Sequence, residues 1–188
     1  IIVSPEDSAE IRRVSITNNG PDVREIEITS YSEIVLAPRL ADAAHPAFSN
    51  LSIETEFNSA ESSLIAQRRP RTETDEVILA VHTIATDGET IGAVQYETDR
   101  SRFLGRGHDT REPVAVVEDR PLSNTVGAVL DPIFSLRRCI RIKPRETVRV
   151  SFATSVAHTY DEAMRLADKY CDVQIFEREA ALAWTRAQ

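Results

Sequence analysis

The sequence predicts an all-β fold, a large antiparallel β-sandwich followed by C-terminal helices. Three observations predict it. From Ile11 to Ala157 the apolar residues recur with period two and no helical period intervenes. At Thr159 the period changes to that of an amphipathic helix. A chain of 188 residues that is 41% hydrophobic is also large enough for one domain with a buried core.

Taken in order, Val14-Ser15-Ile16-Thr17 alternates, and Asn19-Gly20-Pro21 ends that strand in a turn. A long alternating run follows, with Ile26, Ile28, Ile34 and Leu36 on one parity, while Tyr31 and Val35 imply that the second face is partly covered. Leu51, Ile53, Thr55 and Phe57 oppose Ser52, Glu54 and Glu56 in the next strand. Residues 64–67, 77–85 and 91–96 add three more, and Asp87-Gly88 between the last two is a hairpin signal. Phe134, Leu136, Ile140 and Ile142 then share one parity, with Arg137, Cys139, Arg141 and Lys143 on the other. Pro144-Arg145-Glu146 turns the chain, and Val148, Val150, Phe152 and Val156 align opposite Arg149 and Ser151. Antiparallel strands with one wet face have this pattern, and many of them without intervening helices make a sandwich rather than an α/β fold.

Thr159-Tyr160-Asp161-Glu162 fits a capping box, and Ala163, Leu166, Ala167 and Tyr170 follow on one helical face. After a break at Cys171-Asp172, a second stripe runs through Val173, Phe176, Ala180, Ala183, Trp184 and Ala187. The expected boundaries are a sandwich over residues 1–158 and a helical segment over 159–188. A stripe that runs to the terminus, with no initiator Met at the start, predicts a piece of a longer chain.

A formal charge of −8 disfavours non-specific binding to nucleic acid or anionic membranes. No stretch approaches the ~20 apolar residues that span a bilayer, and Ile1-Ile2-Val3-Ser4-Pro5 lacks the flank and length of a signal peptide. Cys139 and Cys171 show no metal spacing and read as reduced, partly buried thiols, with a disulfide between them left open. No cofactor or metal site is expected. Only Lys143 and Lys169 are lysines, so the basic side chains are nearly all arginines, which suit planar contacts with carboxylates, phosphates or sugar hydroxyls.

Two irregular segments interrupt the strands: 37–50, with Asp42, His45, Phe48 and Asn50, and 98–124, with Arg100, Arg102, Phe103, Gly105-Arg106-Gly107-His108 and Leu122-Ser123-Asn124. Loops this long inside a domain are functional or mobile, and the second is the stronger candidate for binding. Its glycines lack the spacing and context of a nucleotide fingerprint. The plainer alternative pairs Arg100 and Arg102 with Asp99, Asp109 or Glu112 at the surface, for ~0–1 kcal/mol each. His82, in mid-strand, reads as a packed residue rather than a ligand, and His45 and His108 meet only if the fold joins the two loops. No paired-carboxylate site or nucleophile elbow stands out, so no catalytic residue is assigned.

Several segments carry a resemblance. Val3-Ser4-Pro5-Glu6-Asp7 with the strand from Ile11 to Asn18, and Glu27-Ile28-Thr29-Ser30-Tyr31-Ser32-Glu33 with Ala43-Ala44-His45-Pro46-Ala47-Phe48, are two of them. Arg102-Phe103-Leu104-Gly105-Arg106-Gly107, Pro121-Leu122-Ser123-Asn124-Thr125-Val126-Gly127, and the run from Leu130 to Arg137 complete the set. Together they resemble the β-sandwich region of glycoside hydrolase family 94 (the older glycosyltransferase-36 type), in particular the phosphorylase-like region of cyclic β-1,2-glucan synthases. The resemblance covers essentially the whole chain, and Phe103-Leu104-Gly105-Arg106-Gly107 and Leu122-Ser123-Asn124-Thr125 are its most specific parts.

The resemblance implies a galactose-mutarotase-like supersandwich whose linker helices lead into an (α/α)6 barrel. In phosphorylases of this kind the barrel carries the general-acid Asp and most phosphate ligands for inverting phosphorolysis, so this chain alone is expected to be non-catalytic. It implies a β-glucan or gluco-oligosaccharide as ligand, the barrel and a second copy as partners, and trimming of linear β-1,2-glucan before cyclisation. It also implies placement of this region on the cytoplasmic side of an inner-membrane protein. The loop Arg102–His108 is the segment carried over to active-site closure. Arg102, Arg106 and His108 would contact sugar or phosphate, and Phe103 would either face a pyranose ring or anchor the loop in the core. Asn124 and His45 are secondary candidates. Two further readings stay open: a structural and dimerisation module without sugar contact, and a mutarotase-type epimerase, which needs His45 or His108 beside a carboxylate.

Overall fold

The computed structural model describes residues 1–70 and 76–187. The strands are β1 (Ile2–Val3), β2 (Ala9–Thr17), β3 (Arg24–Thr29), β4 (Ser32–Glu33), β5 (Ile53–Asn58), β6 (Ser63–Arg68), β7 (Leu79–Thr86), β8 (Glu89–Asp99), β9 (Gly127–Ala128), β10 (Pro132–Ile142) and β11 (Thr147–Ala157). The helices are α1 (Arg39–Ala44), α2 (Pro46–Asn50), α3 (Arg100–Leu104), α4 (Val114–Val117), α5 (Tyr160–Tyr170) and α6 (Ile175–Arg186).

Two antiparallel sheets face each other, as the period-two pattern predicts. The larger has the order β1-β2-β11-β7-β6-β5-β9; the smaller is built on β10, with β3 and β4 on one edge and β8 on the other. The even-numbered residues of β10, Phe134, Leu136, Ile140 and Ile142, meet Val148, Val150 and Phe152 of β11 and Ala80 and Ile84 of β7 between the sheets. His82 lies among them, with its ring stacked at 5.5 Å on Phe134 and 5.9 Å on Phe152. Its Nε2 meets Ser30 Oγ and its Nδ1 meets Thr154 Oγ1, each at 2.9 Å, so this buried histidine is a hydrogen-bonded core residue.

The expected wet face is absent from the centre of the larger sheet. Leu79 and Val81 of β7 and Ala153 and Ala157 of β11 are buried on the outer side, against Ala163, Leu166, Ala167 and Tyr170 of α5. The C-terminal helices are therefore a third layer. Thr159 Oγ1 accepts from the Glu162 N–H at 3.2 Å as the capping box requires, but the Glu162 carboxylate reaches back to the N–H of His158 at 2.9 Å, one residue earlier than the box predicts.

The turn signals mark crossings between the sheets instead of hairpins. β7 and β8 join through Asp87-Gly88, yet β7 pairs with β6 and β11 while β8 pairs with β10. The Asp87 N–H bonds the Arg149 carbonyl at 3.2 Å, and a Cβ at Gly88 would fall 2.4 Å from Val148 Cγ1, so this corner is wedged against β11. β10 and β11 likewise sit in different sheets, as do β2 and β3, whose connections are tied by Arg145 N–H to Asn18 O at 2.8 Å and Asn18 N–H to Glu146 O at 3.0 Å. The single strand expected over 26–36 is broken at Ser30, whose Oγ accepts from the Leu136 N–H at 3.0 Å in place of a backbone carbonyl. Cys139 and Cys171 are both free thiols.

Candidate functional site

At the end of the molecule where β10 begins, the two irregular segments meet on one carboxylate. Asp131, the residue before β10, accepts from Asn50 Nδ2 at the end of α2 (Oδ1, 3.3 Å) and from Arg100 Nη1 at the start of α3 (Oδ2, 3.4 Å). The Arg100 Nε donates to Tyr31 Oη at 3.1 Å and to Glu33 Oε1 at 3.2 Å, and Tyr31 donates to the same Glu33 oxygen at 2.9 Å. Burial and the Glu33 hydrogen bond push the Tyr31 hydroxyl above its ordinary range, while the hydrogen bond to Tyr31 is the main influence raising Arg100. Beside this network is a cleft of about 380 Å³, lined by Glu33, Val35, Asp42, Asn50, Leu130 and Asp131 among others.

The loop after α3 holds most of the sequence-predicted residues, in contrasting environments. Arg102 is exposed and pairs with Asp99 at 3.7 Å, as the plainer alternative expected; Arg100 instead turns to Glu33 and Asp131. Phe103 is only 3% exposed, packed with Leu104, Ala115, Leu122 and Ile133 and tilted on the Tyr31 ring at 5.1 Å. That burial corrects the pyranose-platform reading: Phe103 anchors the loop. Arg106 is exposed between Gly105 and Gly107, both at φ +81°, and makes no hydrogen bond or ion pair among the described residues. Gly105 is also needed for close approach, because a Cβ there would lie 2.8 Å from Val114 Cβ.

His108 is exposed, and its Nδ1 meets the Glu112 carbonyl at 2.8 Å, closing the tip of the loop. Asn124, at φ +54°, accepts from the Tyr96 N–H through Oδ1 at 2.8 Å and donates its own N–H to the Tyr96 carbonyl at 2.9 Å, so it is spent on pairing with β8. His45 is exposed at the junction of α1 and α2, with its ring edge-on to Phe48 at 6.0 Å. The fold joins the two segments through Asp131, but among the described residues His45 and His108 make no contact with each other and neither pairs with a carboxylate.

What fixes this loop is a row of polar side chains on the outer face of the smaller sheet. Arg137, 3% exposed, donates to the carbonyls of Ala115 and of Arg120 (2.7 Å) and to Thr29 Oγ1 (2.9 Å). Its neighbour Glu97, 2% exposed, accepts from Ser123 Oγ at 2.5 Å and Thr125 Oγ1 at 3.1 Å, while Gln95 Oε1 accepts from the Leu122 N–H at 3.0 Å. Sequence parity had placed Arg137 on a wet face. The loop covers it, and a short-range pattern carries no signal of such a cover. Glu33 and Asp131 were also missed, since a single carboxylate in a strand pattern reads as a solvated face.

Comparison with known proteins places these residues in a family. Residues 1–173 match the family model described as the glycosyl hydrolase 94 supersandwich domain. Over 187 residues the chain is 39% identical to the cyclic beta-(1,2)-glucan synthase NdvB of Rhizobium meliloti, a match that takes in 100% of this chain and 7% of that protein. Over 169 residues it is 27% identical to the solabiose phosphorylase of Paenibacillus borealis, with 90% of this chain and 21% of that protein covered. The chain thus spans a small part of the length of either relative.

Proposed function

The chain belongs to the glycosyl hydrolase 94 supersandwich family, and on that premise we propose that it is a non-catalytic, carbohydrate-associated domain of a cyclic β-1,2-glucan synthase-like or β-glucoside phosphorylase-like protein. Its role is to bring the Arg102–His108 loop to a glucan and to help close an active site carried by a following (α/α)6 barrel. The observation that carries this reading is the contrast within one loop. The 115–125 limb is bonded to Arg137, Glu97 and Gln95, whereas the Arg106 guanidinium at the tip has no partner among the described residues. A rigid base with a free multi-donor tip suits recognition of hydroxyls or of phosphate. The parent protein would sit at the cytoplasmic face of an inner membrane; among the described residues no helix is long and apolar enough to cross one.

Arg106→Ala in the full-length protein is the test. Stability should change by no more than ~0.5 kcal/mol, as at other exposed sites. Turnover of linear β-1,2-glucan should fall ~10-fold or more, the loss of a charge-assisted hydrogen bond. Unchanged kinetics would remove the loop from the sugar. A second reading, a structural and dimerisation module without sugar contact, draws on the exposure of Leu40 (85%) and Trp184 (71%). It predicts that Leu40→Ser or Trp184→Ser, and not Arg106→Ala, alters assembly and activity.

A further inference from the structure

We propose that the cleft beside Asp131 is a carbohydrate subsite of its own, separate from the Arg106 loop tip, that takes one neutral hexose unit of a glucan. The chemical class of the ligand follows from the cleft; that the hexose is glucosyl rests on the family reading above. A volume of about 380 Å³ falls in the range of small-ligand sites, roughly 300–1,000 Å³.

Its polar groups are arranged for hydroxyls. Glu33 Oε1 is taken by Tyr31 and Arg100, which leaves Oε2 to accept. Each Asp131 oxygen holds one bond, of 3.3 and 3.4 Å, near the outer limit for N–H···O, so both retain acceptor capacity and the Asn50 amide donor in the cleft is weakly committed. The Asp42 carboxylate lines the same cleft and makes no hydrogen bond or ion pair among the described residues. Donors and acceptors side by side match a sugar's vicinal hydroxyls, which do both. Val35 and Leu130, 50% and 79% exposed, give the rim an aliphatic surface for the C–H face of a pyranose.

Other ligand classes fit poorly. Three carboxylates against the single guanidinium of Arg100 repel phosphate and other anions. Among the described residues no group of three or more His, Cys, Asp or Glu side chains is placed to hold a metal ion. A neutral polyol uses the acceptors and the Asn50 donor together.

Calorimetric titration of this chain with linear β-1,2-gluco-oligosaccharides tests the subsite. Saturable binding is expected, weakened at least ~10-fold by Asp42→Ala and by Asp131→Asn, the scale of one or two hydrogen bonds to a charged group. Lys143→Ala, at the far end of β10, should bind as the unaltered chain does, and neither inorganic phosphate nor calcium should compete. Asp42→Ala is the decisive variant because its side chain has no partner to lose; thermal unfolding checks Asp131→Asn, which bridges two segments. Unchanged binding by Asp42→Ala and a folded Asp131→Asn overturns the subsite. So does loss of binding with Arg106→Ala alone, which assigns the sugar to the loop tip and leaves the proposed function standing. No binding by the unaltered chain overturns the subsite without touching the full-length kinetics of Arg106→Ala. Conversely, cleft binding with full-length Arg106→Ala kinetics unchanged sustains the subsite and overturns the loop reading.

Discussion

His82 shows how burial sets chemistry at the scale of one residue. Desolvation is the main cause that holds its imidazole down to about 4, with the charge of Arg12 adding to it. The folded value lies below the unfolded one, so above pH 6.5 the ring is neutral in both states and its own contribution to stability does not vary with pH. Below that, the unfolded chain takes up a proton that the folded chain refuses until about pH 4. Unfolding followed by urea at several pH values should therefore show a loss of ~3 kcal/mol across that window, with uptake of about one proton. A flat profile would contradict the buried neutral ring. Arg137 makes the complementary case, a buried charge bonded to two loop carbonyls. Arg137→Met should cost ~3 kcal/mol and speed hydrogen exchange in residues 113–125 before that of the strands, because the carbonyls lose their donor. Neither role was legible from period two alone: His82 could be read as packed because it sits inside a buried run, whereas Arg137 has the parity of Arg141, which is half-exposed and paired to Glu25 and Glu89.

Elements are where local signals were right about position and wrong about partner. Asp87-Gly88 and Pro144-Arg145-Glu146 do turn the chain, but a turn dipeptide says nothing about which sheet receives the next strand, and both lead across the sandwich. The Gly88 corner fits so closely against Val148 that Gly88→Ala should destabilise by ~1–3 kcal/mol in denaturant titration, the cost of overpacking. The helices show a second limit. Amphipathic spacing identified α5 and α6, but not the clasp that docks them. Lys169 Nζ lies 2.6 Å from Asp7 Oδ2 and 2.8 Å from Glu179 Oε1, and the fully buried Glu179 also accepts from Ser4 Oγ at 2.6 Å. Burial alone would raise Asp7, yet hydrogen bonds from Lys169 and Tyr170 outweigh it and leave the carboxyl below its ordinary value; burial is the first cause that pushes Tyr170 up to about 12. Because Asp7 is depressed, its contribution is full above about pH 4 and lost as pH falls through the folded value. Lys169→Met strands Glu179 without its cation and should cost ~3–5 kcal/mol by urea unfolding at neutral pH.

For the whole molecule, three layers leave one end irregular. α5 and α6 cover the larger sheet, the 105–125 loop covers part of the smaller one, and the two long segments converge on Asp131 where β10 begins. The sandwich and its helices were legible because alternation and helical spacing are local. The loop was legible as a candidate because of its length and glycines. The cleft and the network beside it were not, since Glu33, Asp42, Asn50, Arg100 and Asp131 come from four separate stretches that only the fold assembles. The central claim is that this end is the sugar-contacting face of the domain. Amide chemical-shift mapping with linear β-1,2-gluco-oligosaccharides, and cello-oligosaccharides as control, tests it most directly. Saturable shifts confined to residues 31–35, 42–50, 100–108 and 130–131 are the predicted result; saturable shifts elsewhere, or none at millimolar sugar, would contradict it.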